Sequence, residues 1–257
     1  MLPEKSPHTK LSKPPLKRRL DLIAAERHPE HSRHYLQSMI MQGKLLVNGK
    51  VHTKPGLLIA ETADITLNLP AQDFVSRAGH KLAAALDHFQ VTVADKVALD
   101  AGISTGGFSH CLLQRGIKRI YGVDVGYGQV HEAVSNDPRV TLLERTNLRY
   151  LGELPEVVDL VTLDLSFISV TKVLPVVTRL LSPAGELIIL IKPQFEAGKA
   201  KVGRGGIVTD PQTHEEVIAA VTKAVEAHGY QAHGWIPSPI LGSSGNKEFL
   251  AYFVRKN

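Results

Sequence analysis

The chain has 257 residues, of which 43% are apolar, 21% charged and 5% aromatic. This composition is typical of a globular protein in water and excludes disorder for most of the chain. The formal charge of +5 lies in the first 70 residues, where 11 lysines and arginines face 6 acidic residues, whereas the remainder holds 19 of each sign. A basic front segment before a neutral body indicates either a polyanionic partner or a solubilising leader.

The sequence argues against export and against a membrane-spanning helix. A single cysteine, Cys111, permits no internal disulfide and no cysteine-based zinc site, so we expect a reducing compartment, the cytoplasm. The first 20 residues lack the apolar stretch of a signal peptide, and no apolar run approaches the roughly 18 residues that cross a bilayer. His28, His31 and His34 have no acidic or cysteine partners at ligand spacing, and we therefore predict no metal site.

The first 69 residues predict a leader and a small α+β domain. Residues 1–15 combine four prolines with polar residues, which predicts a flexible leader. Two short helices follow, the second capped by Ser32 and ended by Gly43. Asn48-Gly49 between β-prone residues predicts a hairpin, and Ile65–Leu69 predicts a further strand. The apolar stripes of the two helices are Leu20, Ile23, Ala24, Leu36, Met39 and Ile40.

We predict a linker over residues 70–75. A second, larger domain of alternating strands and helices is predicted over residues 76–257. The predicted strands are Val97–Asp100, Arg119–Asp124, Val140–Leu143, Leu160–Asp164, Glu186–Ile191 and Phe249–Val254. The predicted helices are Arg77–Phe89, Phe108–Arg115, Ser169–Leu181 and His214–Ala227. This alternation predicts an α/β fold with a mainly parallel sheet that is covered on both faces and binds ligands outside the carboxyl ends of its strands.

The clearest local signal is VALDAGISTGGFSH, residues 97–110. Asp100 would end a buried strand, and Gly102, Gly106 and Gly107 would let the loop approach a ligand before a helix begins near Phe108. The segment matches neither the dinucleotide fingerprint nor the phosphate-binding P-loop. An ordinary strand-to-helix turn is the alternative, but three glycines and a carboxylate exceed what a turn requires. The segment therefore predicts a small-molecule pocket.

Three further residues end the neighbouring strands. Asp124 follows Asp100 by 24 residues, where a carboxylate can accept hydrogen bonds from ribose hydroxyls, so it predicts a cofactor that contains a nucleoside. Asp164 ends the next strand and Lys192 the one after it. A lysine directly after five apolar residues is costly to desolvate unless it is paired, and Asp164 is the obvious partner. A simple ion pair at the strand ends remains the alternative.

Several short motifs, in this order, carry a family resemblance: SRAGHKL, DAGISTGGF, VDVGYGQ, DLSFIS, IKPQFE, GGIVTD and SSGNKEF. Together they resemble the TlyA (hemolysin-A-like) family of ribosomal RNA methyltransferases over about residues 16–255. The front module, with RLD at 19–21, SR at 32–33 and VNGK at 47–50, resembles the RNA-binding domain named after small-subunit ribosomal protein S-four.

The resemblance implies a Rossmann-like FtsJ-type domain with a mostly parallel seven-stranded sheet and S-adenosylmethionine as methyl donor. It also implies a tetrad that methylates a ribose 2′-oxygen: Lys81, Asp164, Lys192 and Glu248. Asn147 and Leu148 of ERTNLR would lie near the adenine, although a plain loop is the alternative for that segment. The predicted cofactor-binding residues are Asp100, Gly102, Ser104, Thr105, Gly106, Gly107, Phe108, Asp124, Val125, Asn147 and Leu148.

The tetrad has a chemical rationale of its own. A ribose hydroxyl is a poor nucleophile at neutral pH, so its proton must leave as the oxygen attacks. A lysine serves as the base only when burial or a second cation depresses its pKa, while carboxylates orient it and raise the pKa again. We assign Lys192 as the base, with Lys81, Asp164 and Glu248 orienting it and the ribose.

Basic residues in both predicted domains are candidate RNA contacts. The predicted set is Arg18, Arg19, Arg33, Lys44, Asn48, Lys50, Arg77, Lys199 and Arg204. The glycine-rich basic segment 197–206 suits a lid or RNA clamp, with a solvated loop as the alternative. His110 departs from the family pattern, in which an aspartate, or a glutamine in the FtsJ branch, follows the glycine loop. This difference concerns the contacts to the methyl donor and not the class of reaction.

The leading hypothesis is an S-adenosylmethionine-dependent RNA methyltransferase that acts on the 2′-oxygen of cytidine in 16S or 23S ribosomal RNA, or both. Its expected partners are ribosomal RNA or ribosomal subunits. A membrane-active hemolysin is a second class, but no export signal, amphipathic basic helix or barrel-like alternation supports it. A non-catalytic RNA-binding or assembly factor is a third, and the intact tetrad argues against it. The sequence leaves the nucleotide, the subunit and the oligomeric state open.

Overall fold

The computed structural model describes residues 16–29, 31–68, 73–242 and 245–256. The chain divides into two compact units on either side of the bond between residues 72 and 73. The predicted leader, residues 1–15, and the first three residues of the predicted linker, 70–72, lie outside the described residues, as does the last residue of the predicted 65–69 strand.

The first unit is a small α+β fold. Its elements are β1 (Lys17–Arg19), α1 (Leu20–Arg27), α2 (Arg33–Met41), β2 (Leu45–Val47), β3 (Lys50–Val51), β4 (Leu58–Ala60) and β5 (Ile65–Leu67). Strands β3, β2 and β5 form an antiparallel sheet, and β1 pairs with β4. Asn48 and Gly49 have φ values of +49° and +74°, so the predicted hairpin is confirmed as a tight left-handed turn.

Both predicted helices of this unit are confirmed, with Ser32 Oγ accepting a hydrogen bond from the backbone N–H of Tyr35 at 3.2 Å. Five of the six predicted stripe residues lie in the core of the unit, whereas Met39 is only half-buried and is not part of that core. Strands β1 and β4 are not among the predicted elements; β1 consists of three charged residues, KRR, which carry no signal for a strand. The core of the unit is Leu20, Ile23, Ala24, Leu36, Ile40, Leu45, Val47, Ile59 and Ala63.

The second unit is a twisted α/β sheet with helices on both faces. Its strands are β6 (Val97–Ala101), β7 (Arg119–Val123), β8 (Val140–Leu143), β9 (Val158–Leu163), β10 (Leu181–Ile191), β11 (Tyr230–Pro237) and β12 (Phe249–Arg255). Its helices are α3 (Ala78–His88), α4 (Gly107–Gln114), α5 (Glu132–Ser135), α6 (Leu174–Leu180), α7 (Pro193–Glu196) and α8 (Pro211–Glu226).

The strand order is β11-β12-β10-β9-β6-β7-β8. Only β12 runs antiparallel to the other six strands, so the predicted mostly parallel seven-stranded sheet is confirmed. All six strands predicted from the local sequence are present. The seventh strand, β11, is not predicted, because its sequence YQAHGWIP places polar residues and glycine where a central strand would be apolar. It lies at the sheet edge and pairs with β12 alone.

Two apolar layers cover the sheet, as predicted. One face packs against α3 and α4 through residues such as Leu82, Leu86 and Leu112, and the other against α6 and α8 through Val177 and Val221. No helix in the described part of the chain is long and apolar enough to cross a bilayer.

Two helices differ from the predicted bounds because of prolines. The predicted helix Ser169–Leu181 is a 3-10 turn over Val170–Lys172 followed by α6, and Pro175 sits in the first turn of that new helix, where its missing N–H costs nothing. Helix α8 begins before His214 because Asp210 caps it and Pro211 occupies its first position.

Candidate active site

The sheet register brings three residues of the predicted tetrad to one edge. Asp164 follows β9, Lys192 follows β10 and Glu248 precedes β12. Strands β9 and β10 are parallel, so their carboxyl ends coincide. Strand β12 runs the other way, with Phe249 opposite Ile191, so its first residues lie beside the last residues of β10. Three loops therefore supply side chains to a single rim.

Lys192 is bound on two sides by the turn after β9. Its Nζ lies 2.6 Å from Asp164 Oδ1 and 3.1 Å from Ser166 Oγ. The lysine is 8% exposed, so the carboxylate compensates a charge that is largely removed from water. The predicted pairing of Lys192 with Asp164 is present, and Ser166 is an additional partner that the sequence did not indicate.

Lys81 and Glu248 form a second buried pair. Lys81 lies on the inner face of α3, and its Nζ is 2.6 Å from Glu248 Oε2. Both residues are nearly inaccessible, at 8% and 4% exposure. Gly242 lies against Glu248 so closely that a Cβ at this position would clash with the carboxylate oxygen Oε1. The pair is thus held by close packing as well as by charge.

A cavity of about 570 Å³ opens at the carboxyl ends of β6, β7 and β9. It contains six of the predicted cofactor residues: Gly102, Ser104, Asp124, Val125, Asn147 and Leu148. Asp164 and Ser166 also line it, so two residues of the cavity wall are in contact with Lys192. A ligand in this cavity would lie beside the first ion pair of the tetrad.

Asp124 organises the mouth of the cavity. Its Oδ2 accepts a hydrogen bond from the backbone N–H of Ser104 at 2.9 Å, and its Oδ1 accepts one from Gly126 at 2.8 Å. Each carboxylate oxygen keeps a second acceptor site. The side chain joins the glycine loop to the loop after β7 and still has capacity for two ligand hydroxyls.

The other five predicted cofactor residues do not line the cavity: Asp100, Thr105, Gly106, Gly107 and Phe108. Gly106 and Gly107 serve packing, because a Cβ would stand 3.1 Å from Val134 in the first case and clash with Ser76 in the second. Phe108 is 3% exposed in the core beneath α4. Of the three glycines only Gly102 reaches the cavity. A Cβ there would stand 2.5 Å from the carbonyl oxygen of Asp164, so glycine lets the two site loops touch.

Asp100 is fully buried and bound to protein on both oxygens. Ser109 Oγ donates to Oδ2 at 2.6 Å and Thr162 Oγ1 to Oδ1 at 3.0 Å. Burial raises the pKa of Asp100 to about 6, against the opposing effect of these two bonds. The residue fixes the start of α4 relative to β9 from inside the fold rather than from the cavity wall.

We expect Asp100→Asn to stabilise the protein at alkaline pH. Because the pKa of the folded state is above that of the unfolded chain, Asp100 destabilises the wild type progressively as pH rises from about 4 to 6. The amide has the same shape and stays neutral, and both hydroxyls can reorient toward it. Urea unfolding should show a gain of roughly 1–3 kcal/mol at pH 8 that vanishes near pH 4. A gain of equal size at both pH values would contradict this explanation.

Three of the predicted RNA contacts in the first unit are held by acidic residues. Arg18 pairs with Glu26 and Glu61. The carboxylate of Asp21 is fully buried; it accepts two hydrogen bonds from Arg19, at 2.9 and 3.0 Å, and two from Arg33, at 3.2 and 2.8 Å. These bonds, those of Arg19 first, hold the pKa of Asp21 well below its usual range.

The other three candidates in that unit differ from one another. Asn48 Oδ1 accepts from the backbone N–H of Asp64 at 2.9 Å, so this side chain supports the hairpin. Lys44 and Lys50 are exposed and form no salt bridge with another described residue. They are the two predicted contacts of the first unit whose charge is not matched by an acidic neighbour.

In the second unit, Arg77, Lys199 and Arg204 are exposed, and none forms a salt bridge within the described ranges. The segment that contains the last two is ordered by short 3-10 turns, and its Lys201 pairs with Glu216.

His110 has a contact that the sequence did not indicate. Its Nδ1 accepts a hydrogen bond from the backbone N–H of Val75 at 2.9 Å. Burial first, and the nearby His131 second, lower its pKa. It does not line the cavity, so this departure from the family pattern bears on residues 73–75 rather than on the cavity wall.

Most of the cavity wall that the sequence did not predict comes from one loop. Residues 165–168 line it together with Lys172 and Val173, and Gln129, Thr146 and Arg149 complete it. Phe167 stands out, since it has a φ of +65° and a side chain that is 91% exposed. Neither property leaves a signal in the motif DLSFIS, because both depend on how the loop is anchored elsewhere.

Comparison with known proteins identifies both units. Residues 74–255 match the model of the FtsJ-like methyltransferase family, and residues 18–65 match that of the S4 domain. The chain is 41% identical over 239 residues to the 16S/23S rRNA (cytidine-2′-O)-methyltransferase TlyA of Mycobacterium tuberculosis, covering 91% of this chain and 88% of the relative.

Two solved structures are similar to this chain. A protein from Streptococcus thermophilus titled "Putative hemolysin" superposes with a TM-score of 0.73 and 36% identity, covering 94% of this chain and 89% of that one. An S-adenosylmethionine dependent methyltransferase from Mesorhizobium loti shares the fold of the second unit, with a TM-score of 0.51 and 16% identity over 67% of this chain and 96% of that one. The chain belongs to the TlyA family of FtsJ-like methyltransferases.

Proposed function

We propose that this methyltransferase uses S-adenosylmethionine to methylate the ribose 2′-oxygen of a cytidine in ribosomal RNA, the activity stated in the name of its M. tuberculosis relative. The observation that carries the proposal is the position of Asp164. This residue lines the cavity and also binds Lys192 at 2.6 Å, so a wall residue of the proposed donor site is in direct contact with the proposed proton acceptor.

The cavity fits S-adenosylmethionine in size and in chemistry. Its volume of about 570 Å³ is within the range of sites for ligands of this size. Leu148, Ile168 and Val173 offer apolar surface for an adenine, and Asp124 offers acceptors for ribose hydroxyls. When bound, S-adenosylmethionine supplies an electrophilic methyl group on a positively charged sulfur.

We expect Asp124→Ala to weaken donor binding. It removes the acceptors for the ribose and releases two backbone N–H groups, those of Ser104 and Gly126, that shape the loop. The dissociation constant for S-adenosylmethionine, measured by calorimetry, should rise about 10- to 100-fold, as expected for a lost charged hydrogen-bond acceptor. Asp137→Ala, which removes a carboxylate that binds Arg139 away from the cavity, is the control. Equal affinities for both variants would exclude Asp124 from the donor site.

Lys192 is the proposed proton acceptor. In its uncharged form, Lys192 Nζ would accept the proton of the ribose 2′-hydroxyl while the oxygen takes the methyl group and the methyl–sulfur bond of the donor breaks. Asp164 then neutralises the ammonium ion, and Ser166 keeps the amine in place. The buried pair of Lys81 and Glu248 is the proposed group that orients the sugar. Holding hydroxyl and methyl in near-attack geometry supplies much of the rate, an effect worth up to roughly 7–11 kcal/mol.

The first unit is the proposed RNA-binding domain, residues 16–69, and residues 76–257 the catalytic domain. The S4 match and the exposed lysines support this division. Its proposed partners are ribosomal RNA or ribosomal subunits, which places the enzyme with the ribosomes of the cytoplasm.

We expect Lys44→Ala and Lys50→Ala to weaken RNA binding mainly through phosphate contacts. Each lost contact should lower the slope of log affinity against log salt concentration by about 1, with little dependence on RNA sequence. Lys223→Ala on α8 removes the same charge from the second unit and serves as the control. Filter-binding titrations between low and moderate salt measure the slopes. An unchanged slope in the Lys44→Ala/Lys50→Ala double variant would exclude these two lysines from the interface.

The function is tested by incubating the protein with labelled S-adenosylmethionine and undermethylated ribosomal subunits, then mapping ribose methyl groups. We expect label on the 2′-oxygen of a cytidine in one or both subunits. Donor binding without transfer to either subunit would instead favour a non-catalytic assembly factor.

A further inference from the structure

Two turns of the second unit are linked at three places. The first turn, residues 164–169, follows β9 and carries Asp164; the second, residues 192–196, follows β10 and consists of Lys192 and α7. Lys192 binds Asp164 and Ser166 at one end. In the middle, the rings of Phe167 and Phe195 lie 5.2 Å apart. The third link is a carboxylate, Glu196, which the tetrad does not include.

Glu196 binds the far end of the first turn with both of its oxygens. Its Oε2 accepts from Ser169 Oγ at 2.6 Å, and its Oε1 accepts from the backbone N–H of Val170 at 2.8 Å. Burial raises the pKa of Glu196, and these two bonds oppose the rise. Ser169 in turn accepts from the backbone N–H of Thr171 at 3.2 Å, so the carboxylate holds the start of the 3-10 turn as well.

The first turn needs such an anchor because its backbone is strained. Phe167 has a φ of +65°, a conformation that residues with a side chain adopt only when their surroundings enforce it. Its side chain is 91% exposed, so burial does not enforce it. The turn is fixed at its start by the backbone bond from Asp164 N–H to the carbonyl of Ala101 at 3.0 Å. At its end it is fixed by Glu196.

The second turn connects Glu196 to Lys192. Helix α7 is a single turn, closed by bonds from Phe195 N–H to the Lys192 carbonyl at 2.9 Å and from Ala197 N–H to the Pro193 carbonyl at 2.8 Å. Lys192 and Glu196 are therefore parts of one rigid segment. Glu196 does not line the cavity.

We infer that Glu196 is a positioning residue for methyl transfer, which fixes the turn of Asp164 to the segment of Lys192 so that the proton acceptor and its carboxylate keep their 2.6 Å contact. The inference rests on the proposed function for its effect on turnover. The anchoring of the first turn by Glu196 does not depend on the proposed function.

The kinetic test compares Glu196→Ala, Glu196→Gln and Ser169→Ala with wild type. Glu196→Ala should lower kcat about 10- to 100-fold, because displacements near 1 Å at a reacting centre have effects of this size. Its KM for RNA and its affinity for S-adenosylmethionine should stay within about twofold of wild type. The amide of Glu196→Gln keeps one acceptor and should restore part of the loss. Ser169→Ala should lower kcat less, and adding it to Glu196→Ala should change nothing further, because the two residues share one contact.

Asp137→Ala is the matched control. Asp137 is also a carboxylate that binds a backbone N–H, that of Arg139 at 2.9 Å, but it lies before β8 and outside the cavity. Its kcat should equal that of wild type. The inference is overturned if kcat of Glu196→Ala and Ser169→Ala is unchanged, if the loss appears in the donor affinity instead, or if Asp137→Ala loses as much.

Hydrogen exchange gives a readout that needs no turnover. Amides of residues 164–172 should exchange faster in Glu196→Ala and in Ser169→Ala, while those of β6 stay protected. If wild type methylates no ribosomal RNA but the exchange result holds, the proposed function fails and the anchoring role of Glu196 stands. Unchanged exchange across residues 164–172 in both variants would overturn the anchoring role.

Discussion

Replacing Lys192 with alanine is expected to lower methyl transfer by about 10² to 10⁴-fold, the usual contribution of a positioned proton acceptor. Donor binding should remain near the wild-type value, because Lys192 faces Asp164 and Ser166 and is not part of the cavity wall. Single-turnover rates with saturating RNA, together with calorimetric titration of S-adenosylmethionine, separate the two effects.

Lys192→Arg sharpens this prediction. Arginine keeps the positive charge and can bind Asp164, but its guanidinium does not lose a proton in proteins. It should therefore be as inactive as alanine if Lys192 is the base. Lys118→Ala, an exposed lysine between α4 and β7, is the control and should be fully active. A Lys192→Arg variant with more than a tenth of wild-type activity would assign Lys192 an electrostatic role instead.

Glu248→Ala is expected to damage both stability and activity. It leaves the Lys81 ammonium buried at 8% exposure without its carboxylate, and breaking a buried pair in this way typically costs about 3–5 kcal/mol. Trp235, the single tryptophan of the chain, lies on β11 next to β12 and reports unfolding of the second unit. The free energy of unfolding in urea should fall by this amount.

The double variant Lys81→Met/Glu248→Leu separates folding from chemistry. Two apolar side chains of similar size remove the unpaired charge, so most of the lost stability should return. Methyl transfer should not return, because the sugar then lacks both orienting groups. Recovery of activity in the double variant would show that this pair is structural only.

Six of the seven strands of the second unit are predictable because each is a short apolar run followed by a polar or charged residue. Strand β9 is an example: VDLVTL is followed by Asp164, and the run is buried in the sheet as its sequence indicates. Edge strand β11 has no such apolar run, because it faces water along much of its length. The helix predicted over 169–181 is broken because Pro175 starts a new helix. The apolar periodicity alone, which continues across this proline, predicts one unbroken helix.

The site was predictable at the level of residue types and less so at the level of roles. Lys81 and Glu248 are 167 positions apart and carry no local sign of their contact, so only the family motifs placed them together. Asp100 was expected at the ligand but is buried behind the loop, because its partner Ser109 comes from the helix that follows. The acidic partners of Arg18, Arg19 and Arg33 also depend on the folded unit.

The central claim is that the four tetrad residues act on a ribose hydroxyl. Once the modified cytidine has been mapped, the most direct measurement is methyl transfer to an RNA in which that single nucleotide is 2′-deoxycytidine. We expect binding close to that of the unmodified RNA and no incorporation of label. Label on the base of the deoxynucleotide would contradict a role of Lys81, Asp164, Lys192 and Glu248 at the 2′-oxygen.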